Sequence, residues 1–275
     1  MLKKTLPLLV ASALVSYSFA DVPVSTEAGI VTRSSFVNYG LTMGKDPIVV
    51  PAGRVTALGA FYLETFALMD TTKGNGKRGC YGNRAGEYRK LNTSIGARYG
   101  LPVADSVVVF ADLSYMYEYV PRYKGAVEDT QFLNLKFALE GAWIEPVLAV
   151  ERDFMLDGGT YVFAEVGHTF NLTERFSVRP SISQGFGDGK RTAGCFGHIE
   201  KVEGFDHAGL MDSSVRIDFG YDLTDWLKIG AFVAYHDYLF GDSMREAAAA
   251  FNGKFGAGNP RTWSISGGAG LSVSF

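Results

Sequence analysis

The sequence predicts an all-β chain folded as a transmembrane antiparallel β-barrel of about twelve strands, with ten as the alternative count. Three observations predict it. Hydrophobicity alternates with period two along most of the chain. Short connections alternate with long, glycine-rich ones. Charged residues gather on one face of the predicted strands, while the other face is apolar and carries aromatics at its two ends.

The first twenty residues stand apart from this pattern. "MLKK" is basic, "TLPLLVASALVSY" is apolar but short, and Ser18 and Ala20 occupy the small-residue places before Asp21. This predicts an N-terminal signal peptide over 1–20, cleaved after Ala20, and a single barrel domain over 21–275. Beyond Asp21 no apolar run reaches the roughly 18–20 residues of a membrane-spanning helix.

The strands follow in order. "AGIVTRSSFVNYG", "PIVVPAGRVT" and "AFYLETFALMD" supply three in the region 26–70, provided the chain turns near Ala57–Gly59. From Gly86 onward nine more segments follow, and an even total lets both termini lie on one side. "VVVFADLSYMYEY" sets Val107, Val109, Ala111, Leu113, Tyr115 and Tyr117 against Asp112, Ser114 and Glu118. "FLNLKFALEGAW", "SSVRIDFGYDL" and "LKIGAFVAYHD" alternate in the same way, so each strand has one apolar and one polar face. "TFNLTERFSVRPS" (169–181) and "GYDLTDWLKIGA" (220–231) are near-copies that predict two tight turns. Long loops are expected at 71–86, 121–128, 187–205 and 239–261, with a helical turn or two in "MREAAAAF" (244–251).

Aromatics decide which face is outside. Tyr99, Trp143, Phe176, Tyr221 and Phe275 mark the short-turn end of the apolar stripe, and Tyr115, Tyr117, Tyr235 and Trp263 mark the other. Two such rings suit two membrane interfaces. The opposite face is then the lumen. It is expected to carry Lys90, Arg98, Asp112, Glu118, Lys136, Glu140, Glu151, Asp153, Glu165, Arg179, Arg216, Asp218, Asp222 and Lys228.

The chain ends "WSISGGAGLSVSF", a period-two stripe closing on an aromatic. Trp263, Leu271, Val273 and Phe275 in this strand resemble the sorting signal of bacterial outer-membrane proteins. "AGIVTRSSFVNYGLTMGKDPIVVPAG" is similar to the opening of an uncharacterised family of small outer-membrane barrels. The resemblance implies a bacterial outer-membrane location, contact with lipids and lipopolysaccharide, and passage through the barrel-assembly machinery. It implies no activity and no site residues.

Two functional readings fit the mixed inner charges. They could line a water-filled, porin-like passive channel for small hydrophilic solutes. They could instead pair across a non-conducting barrel whose outer loops are structural or bind a ligand. An outer-membrane hydrolase ranks behind both, so no enzyme is expected. Of His168, His198, His207 and His236, only Asp206-His207 and His236-Asp237 have an adjacent acid, and neighbours in a strand face opposite ways. No cofactor fingerprint or metal-ligand spacing stands out. The formal charge of −3 offers nucleic acid no attraction.

The two cysteines lie in similar stretches, "GKRGCYGN" (76–83) and "GKRTAGCFGH" (189–198). A Cys80–Cys195 disulfide is expected across the outer mouth. It would gather Lys77, Arg78, Lys190 and Arg191 into a basic loop cluster.

Overall fold

The computed structural model describes residues 23–44, 46–71, 88–121, 129–196, 206–240, 242–255 and 260–275. The expected signal peptide and Lys77, Arg78, Cys80 and His198 lie outside the described residues.

Fifteen β segments follow one another: β1 (Val24–Arg33), β2 (Phe36–Asn38), β3 (Leu41–Gly44), β4 (Ile48–Ala57), β5 (Phe61–Asp70), β6 (Tyr88–Ala104), β7 (Val107–Tyr119), β8 (Thr130–Glu140), β9 (Glu145–Asp153), β10 (Thr160–Gly167), β11 (Phe170–Asn171), β12 (Phe176–Gly187), β13 (Gly209–Asp222), β14 (Leu227–Asp237) and β15 (Ser264–Ser274). Helix α1 (Gly189–Phe196) follows β12, and α2 (Asp242–Phe255) lies between β14 and β15. All but β2 and β3 form one antiparallel sheet, closed where β1 pairs with β15 and β10 with β12. The two residues of β11 resume β10 against the same partner, so the wall is a closed 12-strand barrel. Closure leaves no unpaired strand edge, which a membrane requires.

The turn near Ala57–Gly59 is present. Leu58 and Gly59 both have positive φ, at 54° and 67°, and the Ala60 N–H donates to Ala57 O. This is a type I′ hairpin, whose twist suits paired strands. The two near-copied turns are alike in detail. Thr173 Oγ1 accepts the Arg175 and Phe176 amides, and Thr224 Oγ1 accepts those of Trp226 and Leu227.

Outward positions are apolar and exposed, among them Ile30, Leu63, Ile95, Leu113, Leu135, Ile182, Val215, Val233, Ile265 and Leu271. On a closed barrel such a surface is covered by lipid rather than by a core. Aromatics crowd the short-turn end, where Trp143 is 76% exposed and Trp226 stacks on Phe275. Tyr235 stacks on Trp263 near the other end.

Three stretches depart from the sequence expectation. Residues 36–40 do not extend the first wall strand. They enter a small hairpin, β2–β3, whose Tyr39-Gly40 turn has φ of 48° and 71°. The loop after β12 opens as helix α1, started by Asp188, whose carboxylate accepts the Arg191 amide. The alanine-rich segment forms α2, longer at both ends than expected.

Candidate functional site

The pairing register fixes which side chains share the inner face. Across β13, β14, β15 and β1, for example, Asp218, Phe232, Gly268 and Arg33 stand on one rung. Followed around the wall, the same parity carries all fourteen charged residues named above inward.

Most of these charges are paired. Lys90 Nζ lies 2.7 Å from Glu118 and Arg98 2.7 Å from Glu140. Arg179 bridges Glu165 at 2.8 Å and Glu145 at 3.4 Å. Arg216 holds Asp218 through two bonds of 2.7 and 2.5 Å, and Lys228 holds Asp222 at 3.0 Å. Asp112 accepts the Tyr62 hydroxyl and Asp153 that of Thr130. Lys136 faces Asp112 across the ladder and is exposed. Several inner charges escaped the sequence reading: Glu27, Arg33, Arg54, Glu64, Asp70, Arg89 and Glu145. Arg54 pairs with Glu64, and Arg89 with Asp70. Alternation against Ile30, Val55 and Leu63 could have revealed those on β1, β4 and β5. Arg89 was hidden by a bulge opposite Leu68 and Met69, which buries both Arg89 and Lys90.

The outer mouth holds a plug. The β2–β3 hairpin leaves the end of β1 and reaches the far wall. There the Tyr39 hydroxyl donates to Glu151, the Tyr39 ring meets Tyr161 edge-on, and Tyr238 Oη donates to Tyr39 O. Gly40 is required at this tip, because its φ is positive and a Cβ would collide with Asp212. Leu41 packs with Phe196 of α1, Met211 and Tyr238 of the wall, and Met244, Ala247, Ala248 and Phe251 of α2. Phe36 packs on Ile48, Val50, Leu68 and Val120. Inside the mouth, therefore, the wall turns apolar residues inward, against the general pattern.

Arg191 is the polar centre of the plug. Its side chain is buried and lies 3.0 Å from Asp157, 3.2 Å from Glu151 and 4.0 Å from Asp153. The expected basic loop cluster is corrected accordingly: Arg191 is drawn inward by acids, while Lys190 beside it is exposed. The expected disulfide is not supported either. Cys195 is a free thiol, half-buried on α1, and burial, opposed by Arg191, pushes it up to about 12.

Below the hairpin lies a partly open cavity of about 780 Å³ inside the barrel. Phe36, Val37 and Asn38 form one side of it, and β1, β4, β5, β6, β13, β14 and β15 the others. Five cations (Arg33, Arg54, Lys90, Arg216, Lys228) and three acids (Glu27, Glu64, Asp218) line it. Gly230, Gly270 and Ser272 keep its floor wide.

Among the described residues, His168, His207 and His236 assemble no catalytic group. His236 Nε2 bonds Ser266 Oγ at 3.0 Å, whereas Asp237 accepts the Tyr235 hydroxyl. His168 packs between Trp143 and Phe170. The His207 carbonyl accepts Thr192 Oγ1. Among the described residues no three ligating side chains could hold a metal.

No protein-family model and no curated sequence matches the chain. Among solved structures, the NanC porin superposes with a TM-score of 0.50 at 9% identity, over 91% of this chain and 99% of that one. An outer membrane channel from Pseudomonas putida F1 gives 0.48 at 10% identity, over 92% and 95%. The KdgM porin gives 0.47 at 10%, over 91% and 99%. The likeness to the first is one of fold alone: both chains form a β-barrel of the same kind.

Proposed function

We propose that the protein is an outer-membrane, porin-like passive channel for small hydrophilic solutes, constricted at its outer mouth by the β2–β3 hairpin. The observation that carries the reading is the 780 Å³ charged cavity inside the wall. A barrel filled only for stability has no use for such a space, since charges out of water need pairing and packing. Glycines on the inner face of β14 and β15 widen the same region. Export by a signal peptide cleaved after Ala20, lipopolysaccharide around the outer rim and barrel-assembly machinery acting on the Trp263–Phe275 strand belong to this reading.

A second reading has one observation in its favour. The hairpin, α1 and α2 share a buried apolar cluster across the mouth, which suits a closed barrel that presents its outer loops. Single-channel recording of the purified protein in planar bilayers separates the two. Discrete conductance steps support the channel. Their absence at every voltage, from protein shown to be folded and inserted, overturns it.

A further inference from the structure

The cavity wall contains one cation without an acid. Arg54, Lys90, Arg216 and Lys228 each bond a carboxylate. Arg33 bonds none among the described residues, and its Nε is buried without a hydrogen-bond partner. Its side chain nevertheless lines the cavity.

Its surroundings form a platform. The Arg33 guanidinium carbon lies 5.7 Å from the centre of the Phe232 ring, and that of Arg216 lies 4.2 Å from the same ring. Gly268 stands between Phe232 and Arg33 on the shared rung, and a Cβ there would strike the Phe232 ring. The glycine lets the ring lie over β15 toward Arg33. Two guanidinium groups thus lie against one aromatic ring, and Asp218 neutralises only one of them. The surplus is a single positive charge on a residue that lines the cavity. A carboxylate matches a guanidinium fork in shape and charge. Ring and cation together accommodate an apolar body attached to that carboxylate.

We propose that Arg33, Arg216 and Phe232 form a subsite for small organic monocarboxylates inside the lumen. The subsite rests on the channel reading for its purpose, because a lumenal site serves a solute only if the lumen conducts.

The test is equilibrium binding to the full folded barrel in non-ionic detergent at low salt, with benzoate as the probe and benzyl alcohol as its uncharged counterpart. Folding of each variant is checked by the gel shift between unheated and heated protein. Benzoate is expected to bind the unaltered protein and to compete with acetate. Arg33→Gln should weaken it roughly tenfold, the loss of one charge-assisted pair. Arg33→Lys should recover part of the loss, and Phe232→Leu should weaken benzoate more than acetate. Benzyl alcohol should bind none of them measurably.

Equal benzoate affinity in the unaltered and Arg33→Gln proteins overturns the subsite, as does no binding to a folded barrel. Failures of the two readings are distinguishable. A barrel that binds benzoate through Arg33 but passes no current overturns the channel alone. One that conducts without binding benzoate overturns the subsite alone.

Discussion

Replacing Arg191 by methionine should undock α1 from the mouth at neutral pH and leave the barrel wall intact. The arginine lies 3.0 Å from Asp157 and 3.2 Å from Glu151, with 3% of its side chain exposed. Breaking a buried pair by removing one partner costs about 3–5 kcal/mol. An independent bound comes from protonation: an ordinary carboxyl near pH 4 can be neutralised at pH 7 for about 1.4 kcal/mol per unit, or about 4 kcal/mol. Both routes give about 4 kcal/mol, equivalent to about a thousandfold in an opening equilibrium. The pH dependence has a definite sign. Burial already holds Asp157 above its ordinary value, with Arg191 pulling it back down. Without Arg191 the carboxyl rises further, so the variant regains docking as pH falls and the acid is neutralised. Hydrogen exchange at the α1 amides, corrected for intrinsic rate, reads this directly. Protection should fall up to a thousandfold at pH 7, limited by the stability α1 has to lose, and largely recover at pH 4. Unchanged protection at pH 7, or an equal loss at both values, would refute the reasoning.

Other perturbations reach different parts of the molecule. Gly40→Ala should lift the hairpin tip from Asp212, and planar bilayers should show larger or noisier conductance than the unaltered protein. Cys195 should resist iodoacetamide at pH 8 in the folded protein, since burial holds its thiol near 12, and should react after denaturation; labelling only after reduction would restore the Cys80 bond. Thr224→Val removes the acceptor of two turn amides, which should lower stability by about 1 kcal/mol in urea unfolding. Phe275→Ala removes the ring stacked on Trp226, and the amount of heat-modifiable barrel recovered from membranes should drop.

The wall was legible because the membrane imposes one simple rule on it. Lipid on one side and a polar lumen on the other force every strand to alternate, and a turn must fall wherever the alternation restarts. "NLTERFSV" and "DLTDWLKI" could be paired by eye because the same threonine performs the same bonding in both turns. Arg54, Glu64 and Glu27 obey the rule as well and could have been read. Arg89 could not, because a bulge shifts the register without leaving a mark in residue type.

The plug was illegible for the converse reason: it alternates too. "SSFVNYGL" has the periodicity of a wall strand, so nothing in it reports that Phe36 and Leu41 face neighbours inside the mouth instead of lipid. On β4 and β5, Ile48, Val50 and Leu68 likewise look lipid-facing by type, although the register turns them inward. An apolar inner surface costs free energy while it faces water, so its presence there implies a cover. The hairpin, α1 and α2 are that cover. Arg191 illustrates how charge alone misleads. Beside Lys190 in "GKR" it looks like half of a basic surface, yet three acids from β9 and the loop after it decide where it points. Those acids lie more than thirty residues before α1, and the antiparallel pairing of β9, β10 and β12 brings them to the helix. What the sequence hides is therefore the part that determines whether the barrel conducts: the wall follows from the solvent on each side, the mouth from contacts that cross it.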